Sequence, residues 1–345
     1  MKIALLAPFE ESVPPKKYGG TELVAYNLAE ELVALGHDIT LIASGDSTTT
    51  AKLMPGVDKA IRTLPQARNP HTRMALNYQG LANALRIIVN GDFDILHNHY
   101  GWPLLMFKDL LHCPVVTTLH GTLTDPTEQE MFTLHHETPY ISISDSQRRY
   151  GPHLNYVDTV YNGIQVKRFE FNNRPKDYLA FLGRINPQKG PEYAIKIAKK
   201  TNQRLIIAAK IDPIDESYFE QVVEPLIDGD QISFIGEVDH AGKVDLLKNA
   251  RALISPLQWD EPFGIVNIEA LACGTPVITI NRGSMPEIIV DGKVGYLCSN
   301  IDEMIARVAD INKIDRKACR DHVKKQFTAQ GMAKHYLQVY ETLLT

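Results

Sequence analysis

Apolar positions fall into short, near-continuous runs separated by stretches of helical spacing. Lys2 to Ala7 is apolar after its first residue and predicts a buried strand. Val24, Leu28, Leu32 and Leu35 then recur at helical spacing, with Gly36 where a helix-ending glycine belongs. Ile39 to Ala43, Ile95 to His97, Val115 to Leu119 and Tyr140 to Ile143 continue the strand series. Unbroken apolar strands alternating with helices predict a parallel sheet covered on both faces.

The pattern restarts after Arg174-Pro175-Lys176-Asp177. Strands are expected at Tyr178 to Leu182, Leu205 to Ala209, Ile232 to Ile235, Ala252 to Ser255 and Val277 to Ile280. The fold class expected is α/β, with two facing Rossmann-like doubly wound domains and a cleft between them. The expected boundaries are 1–165 for a first domain and 166–328 for a second. A last helix, 329–345, is expected to cross back to the first domain. Met332, Tyr336, Val339, Tyr340 and Leu343 share one face of it.

Composition narrows the function. With 345 residues, 44% hydrophobic and 22% charged, the chain is long enough for two cores. A net charge of −5 offers no global attraction to nucleic acid or anionic lipid. A nucleic-acid partner is therefore not expected, and peripheral membrane contact stays open. No apolar run is long enough to span a bilayer. Glu10 and Glu11 follow the first strand closely, which argues against a signal peptide. Cys113, Cys273, Cys298 and Cys319 are scattered and form no C-x-x-C pair. They suit small thiols in a reducing, cytoplasmic setting and not a zinc site.

Open parallel sheets bind ligands at the carboxyl ends of their strands, so the chemistry should sit there. Tyr18-Gly19-Gly20-Thr21-Glu22 lies between the first strand and the first helix. Paired glycines let backbone amides approach a diphosphate or sugar; the alternative is a flexible loop capped by Thr21. The dinucleotide fingerprint G-x-G-x-x-G is absent here, which disfavours a nicotinamide oxidoreductase.

Gly183-Arg184-Ile185-Asn186-Pro187-Gln188-Lys189-Gly190-Pro191 follows a strand, with Pro191 suited to a first helical position. Arg184 could hold a diphosphate by forked hydrogen bonds and Lys189 as a point charge. The alternative is a solvated basic loop. Asp260-Glu261-Pro262-Phe263-Gly264-Ile265-Val266-Asn267-Ile268-Glu269 carries two glutamates eight positions apart, the second read as two turns inside a helix. The amides of Gly264, Ile265 and Val266 would be unpaired and could bind anionic oxygen. Glu269 suits ribose hydroxyls and Glu261 sugar hydroxyls, unless both are merely exposed helix carboxylates.

Thr117-Thr118-Leu119-His120-Gly121 ends a strand, and His120 would face the reacting carbon or serve as a structural histidine. His97 and His99 share a strand face, as a metal pair would, but lack a nearby carboxylate or third ligand. An acceptor-pocket role suits them better. His135-His136 has no chemical context. Gly274-Thr275-Pro276 and Gly283-Ser284-Met285-Pro286-Glu287 flank a strand, and Gly283 and Ser284 could line the donor site.

Taken together, these residues resemble the family 4 glycosyltransferases of GT-B fold, from Lys2 to the last helix. The most specific part is Glu261 to Glu269 followed by Ala272-Cys273-Gly274-Thr275-Pro276-Val277. Tyr18-Gly19-Gly20-Thr21, Leu119-His120-Gly121, Gly183-Arg184 and Lys189-Gly190 match the other stations in order. Within the family the chain is most similar to the bacterial branch that includes UDP-glucose:tetrahydrobiopterin glucosyltransferases.

The resemblance implies a retaining, metal-independent hexosyltransferase. A nucleotide-diphosphate sugar would be co-substrate, no cofactor would be needed, and the hydroxyl acceptor is left unidentified. By carry-over, Arg184 and Lys189 hold the diphosphate, Glu269 the ribose and Glu261 the sugar hydroxyls. The stretch Phe263, Gly264, Ile265 and Val266 supports phosphate or sugar, His120 contacts the donor sugar, and Gly19-Gly20 shapes the reacting end. No side chain is an obvious nucleophile, so the leaving phosphate is expected to take the acceptor proton. A sugar-nucleotide epimerase of the same fold, or a binding protein without turnover, is the alternative.

Overall fold

The computed structural model describes residues 1–345, which fold as two compact units. One unit comprises Met1–Gly163 with Ala329–Thr345, and the other Ile164–Thr328.

The first unit is built on a seven-stranded, all-parallel sheet. Its strands are β1 (Lys2–Leu6), β2 (Asp38–Ser44), β3 (Lys52–Val57), β4 (Ile95–Asn98), β5 (Val115–Thr118), β6 (Tyr140–Ser142) and β7 (Tyr156–Thr159). Their order across the sheet is β3-β2-β1-β4-β5-β6-β7. The chain therefore reverses direction of travel at β1 and β4, which pair from Ile3↔Ile95 to Leu6↔Asn98. That reversal point is where an open α/β sheet opens a crevice at its carboxyl ends. The apolar run of β1 is wholly buried from Ile3 to Leu6, as a central strand covered by helices on both faces requires.

β3 and β7 were not legible as strands. β3 reads K-L-M-P-G-V, and its Pro55 and Gly56 are tolerated because β3 is an edge strand. β7 is also an edge strand, and its residues are half-buried or exposed.

Helix Gly20–Ala34 buries Val24, Ala25, Leu28, Ala29 and Leu32. Its N-cap is Gly19 and no side chain caps it, so Thr21 lies inside the first turn instead of capping it. Helix Ala329–Leu344 packs against Gly20–Ala34. Met332, Tyr336, Val339 and Tyr340 are buried, whereas Leu343 is only half-buried at the helix end.

The second unit holds a six-stranded parallel sheet ordered β10-β9-β8-β11-β12-β13. The strands are β8 (Leu179–Arg184), β9 (Leu205–Lys210), β10 (Ile232–Phe234), β11 (Ala252–Ser255), β12 (Val277–Ile280) and β13 (Gly295–Cys298). β8 is longer than its apolar run implies. Gly183 and Arg184 remain in the strand because they pair with Ala209 and Lys210 of β9, whereas the sequence reading put them in the following loop. The reversal point here lies between β8 and β11. The cysteines are free thiols, and Cys273, Cys298 and Cys319 are buried. No helix is long and apolar enough to cross a membrane.

Candidate active site

In the second unit the polar residues collect at the carboxyl ends of β8, β9 and β11. Arg184 closes β8 and Lys210 closes β9, side by side in register. The loop after β9 then supplies Asp212 and Asp215. Arg184 Nε donates to Asp215 Oδ2 at 2.6 Å and lies 3.1 Å from Asp212 Oδ2. Lys210 Nζ stands 3.0 Å from Asp212 Oδ1. The predicted phosphate-binding guanidinium is thus already held by two carboxylates. Asp212, Asp215 and Lys210 escaped the sequence reading because A-A-K-I-D-P-I-D has no glycine-rich or basic signature.

Lys189 sits one short turn beyond β8, on the loop that enters helix Pro191–Lys200. Its ammonium pairs with the Glu261 carboxylate and lies 5.3 Å from the centre of the Trp259 ring. Trp259 Nε1 donates to Glu261 Oε2 at 3.1 Å. Glu261 is therefore buried with two donors on its carboxylate. Its backbone is also fixed, because the Ser284 amide and hydroxyl both bond its carbonyl, at 3.0 and 2.9 Å. Ser284 Oγ also reaches the carbonyl of Phe263. Ser284 thus holds the 261–263 loop.

Gly264 is the N-cap of helix Ile265–Ala272, at φ 82°, a left-handed conformation suited to glycine. A Cβ there would stand 2.6 Å from Asn267 Nδ2. The first amide bonded within this turn is Asn267 N–H, to the Gly264 carbonyl. The amides before it have no helical partner and carry the positive end of the helix dipole. Because the helix starts at Ile265, Glu269 lies just over one turn inside it, not two. Glu269 is 1% exposed and pairs with Lys243 of helix His240–Asn249, a partner not anticipated from sequence. The Phe263 ring faces Phe327 in the core at 5.9 Å, so only the backbone of Phe263 is placed to meet a ligand. The Oδ1 of Asn267 is buried without a partner.

The first unit carries Gly19, Gly20 and His120. Gly19 and Gly20 open helix Gly20–Ala34 at the carboxyl end of β1. His120 follows β5, and its Nε2 lies 2.9 Å from Nδ1 of His99, which follows β4. The His99 ring lies 4.0 Å from that of His97, tilted by 41°. His97 is completely buried, with Nδ1 2.6 Å from Tyr340 Oη and Nε2 2.7 Å from Thr118 Oγ1. Thr118 Oγ1 in turn meets Tyr336 Oη at 3.1 Å. Both tyrosines come from helix Ala329–Leu344, which explains their complete burial.

Burial holds the three imidazoles neutral: it pushes His97 and His99 well below their ordinary range and His120 down to about 4. Adjacent rings add mutual repulsion at His97 and His99. The His-x-His pair is thus part of a hydrogen-bonded aromatic cluster. The Nε2 of His99 remains buried without a partner. His135 ends helix Pro126–Leu134 half-buried, and His136 beside it is exposed.

At the start of helix Pro70–Val89 lies a hollow of about 310 Å³, whose walls include Glu10, Arg68, Arg73, Met74 and Asn77. Arg73 binds Glu10 through Nε at 3.0 and 3.1 Å and through a terminal nitrogen at 2.8 Å.

Two parallel-sheet units with polar groups at their reversal points define the class of GT-B proteins. The family described as Glycosyltransferase Family 4 matches residues 18–168, and Glycosyl transferases group 1 matches residues 164–326. The chain belongs to the family 4 glycosyltransferases. It is 25% identical to glycogen synthase of Mycobacterium tuberculosis, over 95% of this chain and 92% of that protein. It is 26% identical to phosphatidyl-myo-inositol mannosyltransferase of Mycobacterium leprae, over 100% and 98%. Among solved structures, Anabaena Alr3699/HepE in complex with UDP-glucose superposes with a TM-score of 0.75 at 15% identity, covering 99% of this chain and 100% of that one.

Proposed function

We propose that the chain is a retaining, metal-independent hexosyltransferase that moves glucose from UDP-glucose to an acceptor hydroxyl. The observation that carries this reading is the Lys189–Glu261–Trp259 group beside the free amides that open helix Ile265–Ala272. The UDP-glucose complex of a protein of like fold supports the choice of donor. Diphosphate departure leaves negative charge on oxygen, and preorganised donors that meet it lower the barrier. Arg184, Lys189 and the amides of Gly264, Ile265 and Val266 take that role. As the diphosphate engages Lys189, Glu261 turns its carboxylate to the sugar hydroxyls, and Glu269 takes the ribose. In the first unit His120 contacts the sugar, and Gly19-Gly20 shape the reacting end. The unit of residues 1–163 and 329–345 supplies the acceptor side and that of residues 164–328 the donor side, and the reaction takes place in the cytoplasm.

The test is nucleotide release from a panel of UDP-glucose, UDP-N-acetylglucosamine and GDP-mannose, with and without candidate acceptors. Tetrahydrobiopterin leads the acceptors, because the sequence motifs resemble the branch that includes tetrahydrobiopterin glucosyltransferases. Proton NMR of the product reads the anomeric configuration, and added chelator should leave the rate unchanged. Conversion of the donor sugar with no acceptor and no nucleotide release would favour an epimerase instead. No release from any donor would refute the transferase reading.

A further inference from the structure

His99 and His120 follow the neighbouring strands β4 and β5, and the sheet holds the backbone at both places. The His99 amide donates to the Leu6 carbonyl at 2.9 Å, and the Leu119 amide beside His120 to the Ile141 carbonyl at 3.0 Å. The two rings meet edge to edge. Nδ1 of His99 is 2.9 Å from Nε2 of His120, the ring centres are 5.2 Å apart, and the planes differ by 28°. The nitrogens therefore lie between the two centres and close to both ring planes, as an N–H···N hydrogen bond requires and a face-to-face stack does not.

One proton fills that contact, and one of the two rings must donate it. Burial keeps both rings neutral, so each carries a single N–H. If His120 donated from Nε2, His99 would have to carry its own proton on Nε2. That atom is enclosed, in a residue only 3% exposed, and has no hydrogen-bond partner. A buried N–H without an acceptor is the arrangement folded proteins tolerate least, and a bare acceptor is the lesser loss. The proton therefore sits on Nδ1 of His99 and is donated to Nε2 of His120. His120 keeps its own proton on Nδ1. His120 is half-buried, and Nδ1 is its outward ring nitrogen.

We propose that His99 is a positioning residue that locks His120 in the Nδ1–H form. His120 then donates a hydrogen bond to a ligand oxygen. It cannot take a proton from a hydroxyl, because its one basic nitrogen is occupied by His99. The His-x-His spacing serves the same end. Alternate residues share a face, so the His97 ring, fixed by Tyr340 and Thr118, lies against that of His99. All of these residues belong to the first unit. The role in turnover rests on the transferase reading above, in which His120 meets a sugar hydroxyl; the proton's position does not. A His120 that only donates is consistent with the leaving phosphate as the base.

The first test is nitrogen NMR of the histidine rings in the protein without substrate, with His120 assigned by the signals lost in His120→Asn. His120 should show a protonated Nδ1 and a bare Nε2. The reverse pattern, or an average of the two, overturns the assignment. The second test compares His99→Asn, whose amide nitrogen takes the place of Nδ1, with His99→Leu, which offers no donor. His99→Leu should move the His120 proton toward Nε2 and lower kcat for nucleotide release about 10- to 100-fold, with the donor that the panel selects, as loss of one ligand hydrogen bond does. His99→Asn should keep the wild-type ring pattern and a kcat within about threefold of wild type. Equal losses in both variants, or near-wild-type turnover in His99→Leu, would overturn the positioning role. The wild-type spectrum decides the proton's position even where a variant fails to fold. It is read without substrate, so it stands apart from the transferase reading, which fails if wild type releases nucleotide from no donor.

Discussion

The burial of Glu22 has a consequence for stability that needs no substrate. Its carboxyl shifts from 4.5 to about 7 on folding, a difference of about 2.5 units. At about 1.36 kcal/mol per unit, the ionised carboxylate weakens the folded state by about 3 kcal/mol at alkaline pH. The sign follows from the direction of the shift. A carboxyl raised on folding contributes stability that is complete below 4.5 and is lost as pH climbs through 7. Glutamine keeps the shape and removes the charge. Glu22→Gln should therefore be more stable than wild type by about 1 kcal/mol at pH 5, growing to about 3 kcal/mol by pH 8.

Thermal unfolding read against pH checks this. For a unit of this size about 3 kcal/mol corresponds to a rise of roughly 6–12 °C in Tm. The difference between variant and wild type is the quantity to plot. The buried histidines shift the other way, so their contribution to stability is present above 6.5 and fades as pH falls, for His120 through about 4. That contribution is common to both proteins and cancels. A difference that stays flat across the range, or glutamine that destabilises at pH 8, would refute the burial argument.

Three further outcomes follow from the site geometry. Lys189→Ala should cut turnover about 100- to 1000-fold, as loss of one preorganised donor to a developing anion does, measured as kcat for UDP release. Gly264→Ala should destabilise by about 1–3 kcal/mol, because alanine must adopt φ 82° with its methyl 2.6 Å from Asn267 Nδ2; chemical denaturation reads it, and a neutral result would show that the loop relaxes. Tyr340→Phe leaves His97 Nδ1 buried without a partner and should cost about 1–3 kcal/mol in the same assay, with a smaller effect if water enters.

What the sequence showed and what it hid divide along a physical line. Central strands were legible because burial on both faces demands continuous apolar runs, as in β1 and β12. Edge strands β3 and β7 were not, because one free edge relaxes the demand on their residues. Glu261, Lys189 and Gly264 could be placed as a group because a strand end and a helix start fix their positions locally. Their partners could not. Asp215, Lys243 and Tyr340 lie 31, 26 and 243 residues from Arg184, Glu269 and His97, and only the folded register brings them together. Phe263 marks the limit of motif reasoning: the motif names the residue, and only packing shows that its ring points into the core.

The long-range pairs also change the electrostatic argument. Sequence alone offers two cations awaiting an anion. The structure sets Arg184, Lys189 and Lys210 against Asp212, Asp215 and Glu261, three positive groups matched by three negative ones. Unpaired cations gathered at one strand end would repel each other and sample many rotamers. Carboxylates that grip them fix their positions in advance, which lowers the ordering cost when a ligand binds. The same neutrality weakens long-range attraction of an anionic donor, so association should depend only weakly on salt while the bound state depends strongly on these contacts. Neutralising Asp215 as asparagine separates the two effects: the site gains positive charge, yet Arg184 loses its closest anchor. If electrostatic attraction dominates, donor affinity rises. If positioning dominates, as the 2.6 Å contact argues, kcat falls even though the site has become more positive.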